Sequence, residues 1–107
     1  FAAMGPITHV FVDLAGTLHV GDTPTPGAVE ALVRLRATGA KVLFVTNTTK
    51  ESRGDLAERL WRMEFQLSLE EMFTSLSAAR ALVDAQSLRP LLMLSDSALK
   101  EFEGVSE

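Results

Sequence analysis

The stretch that most constrains this chain is His9-Val10-Phe11-Val12-Asp13-Leu14-Ala15-Gly16-Thr17-Leu18. Val10, Phe11 and Val12 are consecutive apolar residues, two of them β-branched. Such a run reads as a strand buried on both faces, the pattern of a parallel sheet. It breaks off at a carboxylate, followed by glycine and threonine. In open α/β sheets, ligands bind beyond the carboxyl ends of the strands. Asp13 therefore stands where chemistry is expected, as a nucleophile, as a metal ligand, or simply as a turn residue.

The following residues repeat the theme. His19–Pro24 reads as a polar loop. Thr25-Pro26 reads as a cap and first helical position. Ala28, Val29, Leu32, Val33 and Leu35 then form one helical face. Arg34 and Arg36 suit its final turns, and Gly39 its termination. Lys41–Asn47 reads as a second buried strand, again ending in polar groups. Thr48 and Glu51 fit a capping box, and Leu56, Leu60 and Met63 give the helix after it an apolar stripe, with Trp61 beside it. Ser68 and Glu71 form another capping box before a short turn, Met72–Ser75. Ala78, Ala79, Leu82 and Val83 mark a third helix. Pro90-Leu91-Leu92-Met93-Leu94 reads as a third buried strand ending at Ser95-Asp96, and the tail from Ser97 has weak periodicity.

The order β-α-β-α-α-β calls for an α/β fold with a Rossmann-like parallel sheet. The 107 residues suffice for one small domain. No repeat or linker divides them, so residues 1–107 read as a single unit. Residues 1–6 are expected to lie outside its ordered part, with Met4 as the natural start. A net charge of −4 and the lack of a basic stripe argue against nucleic acid. No apolar run reaches the roughly 20 residues of a membrane span. The chain has no cysteine, which excludes disulfides and thiolate metal sites and is compatible with a cytoplasmic setting. His9 and His19 lack metal-ligand spacing and read as structural. No Walker loop or dinucleotide fingerprint follows the first strand.

Three strand ends are expected to converge on one edge: Asp13, Thr46-Asn47 and Ser95-Asp96. Asp96 reads chiefly as a turn acid. The helix opening after Asn47 offers unpaired N–H groups, a natural phosphate seat. A carboxylate repels a phosphate, and a divalent cation between them removes the conflict. Asp13 could then attack phosphorus, with Thr46 donating its hydroxyl to a phosphoryl oxygen.

Asp13-Leu14-Ala15-Gly16-Thr17-Leu18 resembles the first motif of the haloacid dehalogenase superfamily, Asp-x-Asp-Gly-Thr. Val45-Thr46-Asn47 resembles its second. The similarity extends through Val12–His19, Phe44–Ser52 and Phe73–Arg80 and covers nearly all of the chain. The resemblance implies a Mg²⁺-dependent phosphatase core acting on a small phosphorylated or pyrophosphate-type substrate through an aspartyl-phosphate. It implies that Asp13 is the nucleophile and a Mg²⁺ ligand, and that the Ala15 carbonyl is a second ligand. The amides of Leu14 and Ala15 would meet the phosphate, as would Thr46, with Asn47 beside it. Two departures stand out. Ala15 replaces the second Asp, the general acid, so substrates with good leaving groups are expected. The family's later lysine and acidic motifs, which follow an inserted cap domain, have no counterpart here, since Lys50 and Lys100 are ordinary exposed positions. The resemblance thus implies an incomplete core, without cap or C-terminal half, inactive alone and marginally stable.

Two other readings stay open: a non-catalytic interaction or regulatory fragment, and a receiver-like domain. The latter wants an acidic pair that Met4–Ile7 does not offer. If the three strands lie side by side, right-handed crossovers put the helices on one face. Alternate residues of Val10–Val12, Val42–Val45 and Leu91–Leu94 would then be exposed on the other. The Asp13 strand would be a free edge, favouring self-association through that face or edge.

Overall fold

A computed structural model describes residues 6–106. The expectation for residues 1–6 therefore falls, but for the exposed Pro6, outside the described residues. The elements run β1 (His9–Asp13), β2 (His19–Val20), β3 (Thr23–Pro24), α1 (Ala28–Ala37), β4 (Lys41–Thr46), α2 (Arg53–Arg62), β5 (Met72–Thr74), α3 (Ser75–Ala85) and α4 (Asp96–Leu99). Single 3₁₀ turns, Leu69–Glu71 and Lys100–Phe102, precede β5 and follow α4.

The main sheet is parallel, in the order β1-β4-β5. Its register places Phe11 beside Leu43, Val12 beside Phe44 and Asp13 beside Val45. On the next strand, Phe44 lies beside Met72 and Val45 beside Phe73. Strand residues alternate between faces. One face therefore carries Val10, Val12, Val42, Phe44, Met72 and Thr74. It is covered by α1 and α2, whose Ala28, Leu32, Leu56, Ala57 and Leu60 share its core with Met63 and Phe65. Two right-handed crossovers advancing in one direction put both helices on this side. The opposite face is open: Phe11 is 70% and Phe73 51% exposed.

Local chemistry explains the boundaries. Gly39, with φ +83, turns the chain out of α1 into β4. Arg34 and Arg36 lie in the last turn of α1, where the negative helix end attracts cations. Arg36 also forks onto both carboxylate oxygens of Glu71 at 2.7 Å. That contact holds the Glu71 carboxyl below its usual range. Glu71 in turn accepts from the Ser68 amide at 3.0 Å, as the capping box there requires. Leu56, Leu60 and Met63 are buried as their stripe requires, and Trp61 lies at its margin, 46% exposed.

Four expectations are corrected. Pro90–Leu94 is not a strand; the third strand of the sheet is β5, Met72–Thr74, where a short turn was expected. Exposure alternates along the run, with Leu91 and Met93 exposed. Leu92 and Leu94 pack on a second small cluster, Leu76, Ala98 and Phe102. An apolar run becomes a strand only where a ladder partner meets it, and among the described residues none pairs with this one. Second, α1 is capped at Gly27 rather than Thr25: Thr25 to Ala28 close a turn through the Ala28 amide, and the first i→i+4 bond runs from the Ala31 amide to the Gly27 carbonyl. Third, α2 is capped at Ser52, whose hydroxyl accepts from the Asp55 amide at 3.1 Å, not at Thr48. Fourth, His19–Pro24 is not irregular: β2 and β3 pair as a two-stranded antiparallel ribbon.

Candidate active site

Asp13 ends β1 and is solvent-exposed. Beyond it the chain makes a single tight loop. Leu14 buries its side chain in the core, 1% exposed. Its carbonyl accepts from the Thr17 and Leu18 amides at 3.0 and 2.9 Å. Gly16 takes φ +81, a conformation that glycine adopts without strain. The loop returns Thr17 to the strand end, where its hydroxyl donates to Asp13 Oδ2 at 3.1 Å. Oδ1 faces no protein donor among the described residues.

On the neighbouring strand, Thr46 is half-buried and Asn47 exposed. The Thr48 amide donates to Thr46 Oγ1 at 3.3 Å, folding the loop back over the strand end. Asp13, Val45, Thr46 and Asn47 line one open cavity of about 520 Å³ at the carboxyl edge of the sheet. The two motif ends expected to meet do so. The third wall is Phe73 and Ser75, at the end of β5 and the start of α3. Sequence reasoning passed over both. The available signal was the Thr74 capping box, in which Thr74 Oγ1 accepts from the Ser77 amide at 3.0 Å.

Leu14 and Ala15 follow Asp13 directly, and neither is among the residues lining the cavity; Asp96 opens α4, outside that lining. The expected phosphate seat at the start of α2 is also corrected. That helix begins well past Asn47, and its first amides are taken by the tail. The Ser52 N–H donates to Ser97 Oγ at 3.0 Å and the Arg53 N–H to Glu101 Oε2 at 2.8 Å. Asp55, inside the same turn, accepts from Ser97 at 2.5 Å and from Lys100 at 3.0 Å. The Ser97 hydroxyl, then Lys100, holds its carboxyl below the usual range. A carboxylate already sits where a phosphate was expected.

Arg59 ties the turn between β2 and β3 to the loop after β4. It donates to the Gly21 carbonyl at 2.8 Å and to Glu51, in the loop after Thr46, at 2.5 Å. The Glu51 contact raises the pKa of its guanidinium. His19 is buried, its Nδ1 2.9 Å from the same Gly21 carbonyl, which fits its structural reading.

The fold defines a Rossmann-like α/β core with a cavity at the carboxyl edge of its sheet. The chain belongs to the haloacid dehalogenase-like hydrolase family, whose model matches residues 10–106. It is 57% identical over 104 residues to haloacid dehalogenase-like hydrolase domain-containing protein 2 of Mus musculus, covering 97% of this chain and 40% of that protein. It is 35% identical over 103 residues to the human phospholysine phosphohistidine inorganic pyrophosphate phosphatase, covering 92% of this chain and 38% of that one. Among solved structures, a glycerol phosphate phosphatase from Mycobacterium tuberculosis in complex with magnesium superposes with a TM-score of 0.77. The two are 30% identical, over 94% of this chain and 31% of that one. The chain thus spans about 40% of the length of the curated relatives it matches and forms a partial core.

Proposed function

We propose that this chain is the N-terminal part of a Mg²⁺-dependent phosphohydrolase core, with Asp13 as the nucleophile. The observation that supports this reading is the cavity that brings Asp13, Thr46 and Asn47 together at one strand edge. Asp13 attacks phosphorus, the leaving group departs, and water hydrolyses the resulting aspartyl-phosphate. The Thr46 hydroxyl donates to a phosphoryl oxygen, with Asn47 beside it, and the Leu14 and Ala15 amides serve the same group.

No cluster of three or more histidine or acidic side chains fit for a metal occurs among the described residues. The donors are then the Asp13 carboxylate, open at Oδ1, and the Ala15 carbonyl. Oxygen donors in small number fit Mg²⁺, which keeps several waters and takes the rest from phosphate. When bound, the ion neutralises charge between carboxylate and phosphate. That the chain is part of a longer enzyme is supported by its 40% coverage of the mouse relative. It is supported too by the lysines: neither Lys50 nor Lys100 lines the cavity, and Lys100 is engaged by Asp55.

The substrate class is a small phosphorylated or pyrophosphate-type molecule in a cytoplasmic setting, without nucleic acid or membrane. Ala15 donates no proton, so good leaving groups are preferred. In the complete enzyme, Asp13→Asn is expected to lower Mg²⁺-dependent phosphate release by about 10³-fold or more; near-normal turnover assigns the nucleophile elsewhere. Ala15→Asp is expected to speed alkyl phosphate monoesters by about 10²-fold and acyl phosphates far less. An equal gain on both removes Ala15 from the explanation.

The second reading is a non-catalytic interaction fragment, favoured by the exposed Phe11 and Phe73 of the open face. Mg²⁺-dependent turnover by the 107-residue chain itself would exclude it.

A further inference from the structure

We propose that Arg59 is a positioning residue: through the β2–β3 ribbon and Glu51 it braces the loop after Asp13 and the loop after Thr46 at one spacing across the cavity. That the brace serves phosphoryl transfer rests on the phosphohydrolase reading; the brace itself does not.

The first link is the ribbon. Leu18 and His19 are buried, so β2 leaves the Asp13 loop without slack. The Gly16 amide donates to the His19 carbonyl and the Thr25 amide to the Leu18 carbonyl, both at 2.8 Å. Ribbon and loop are thus one body. At its turn, the Gly21 carbonyl accepts from His19 Nδ1 at 2.9 Å and from Arg59 Nη1 at 2.8 Å.

The second link is Glu51. Expected to close a capping box with Thr48, it instead accepts from Arg59 Nη2 at 2.5 Å. Only Asn47–Lys50 separate Glu51 from Thr46. The Thr48 amide already folds that stretch onto Thr46 Oγ1.

The guanidinium suits this task. Its donors lie in a rigid plane, so two nitrogens hold two acceptors at a set separation. A lysine ammonium on its flexible stem does not. Arg59 is itself anchored, because α2 buries Leu56, Ala57 and Leu60. The Arg59 and Glu51 side chains are 24% and 22% exposed, which limits competition from water. Arg59 does not line the cavity, so it acts through the loops and touches no substrate. An in-line displacement needs the attacking carboxylate and the donors to the phosphoryl oxygens at one spacing. A misplacement of about 1 Å can cost about 10²-fold, and here the two sets of groups come from different loops.

In the complete enzyme, Arg59→Lys keeps the charge and is expected to lower kcat by about 10-fold or more. KM should move less, because the transition state engages both loops at once. Glu51→Ala is expected to match it, and Glu51→Gln, which keeps an acceptor, to retain most of kcat. An unchanged kcat in Arg59→Lys overturns the proposal. An equal loss in Glu51→Gln assigns the effect to charge and overturns it too. In the 107-residue chain, amide exchange read by NMR tests the brace without turnover. Arg59→Lys is expected to speed exchange at Gly16 and Thr48 together, by roughly 3- to 5-fold. The Lys41 amide, bonded to Thr8 at the far end of the sheet, should keep its wild-type rate. Faster exchange at one loop alone, or at Lys41 as well, overturns the brace. A wild-type enzyme without phosphate release overturns the phosphohydrolase reading instead, and amide exchange still decides the brace.

Discussion

On one face of the sheet Val42, Phe44 and Met72 are 6%, 0% and 3% exposed, while on the other Phe11 and Phe73 are 70% and 51% exposed. Both sets come from the same strands, one residue apart. Composition does not separate them, for each side is apolar. Topology does: two crossovers of one hand deliver α1 and α2 to one side only. A continuously apolar strand thus states that it suits cover on both faces, and the connections decide which face receives it within these residues. The covered face holds the unit together, and the open one, with the carboxyl edge, borders the cavity lined by Asp13, Thr46 and Phe73.

The largest expected difference tests this division. Phe44→Ala should cost about 3–5 kcal/mol, a large share of the roughly 5–15 kcal/mol that holds a small domain folded. Phe73→Ala should stay within about 1 kcal/mol, as exposed positions usually do. Urea unfolding at low concentration compares the two, and equal losses would mean that the open face is covered in solution. Next in size is the rim of the covered side. Ser52→Ala removes the α2 cap and should cost about 1 kcal/mol, read as a shifted urea midpoint at constant slope; an unchanged midpoint would show that Ser97 and Glu101 cap the helix without it. The smallest effect belongs to Glu71. Arg36 lowers its carboxyl pKa in the folded chain. Its contribution is therefore fully present above the unfolded carboxylate value, about 4.3. It is lost as pH falls through the lower folded value. Glu71→Gln should flatten this acid limb slightly, because the pair is a quarter exposed. An unaltered limb would assign the acid loss to other carboxylates, Asp55 first.

What could be read in advance follows the same physics. β1 and β4 were legible because uninterrupted apolar runs ending in Asp13 and Thr46 carry their own signal. The two motif ends of the cavity were legible for that reason. β5 was not: three residues between a 3₁₀ turn and a helix cap are too few to show a period, and Phe73 and Ser75 were lost with it. Pro90–Leu94 erred the other way. Its residues suit a strand, but pairing belongs to the neighbour as much as to the run, and none meets it. The start of α2 was misplaced because Thr48 and Ser52 both offer a capping hydroxyl, and only contacts with the distant tail select the second.

Those contacts have a consequence for how the chain is made. The amides of Ser52 and Arg53 find Ser97 and Glu101 only after 45 and 48 further residues have been added. During vectorial synthesis the sheet and α2 can assemble while this end of the helix still faces water. Closing so wide a loop is slow relative to local helix formation. The seal at Ser52 and Arg53 is thus a late event, and a nascent chain stalled before Ser97 would present an α2 without its fastening.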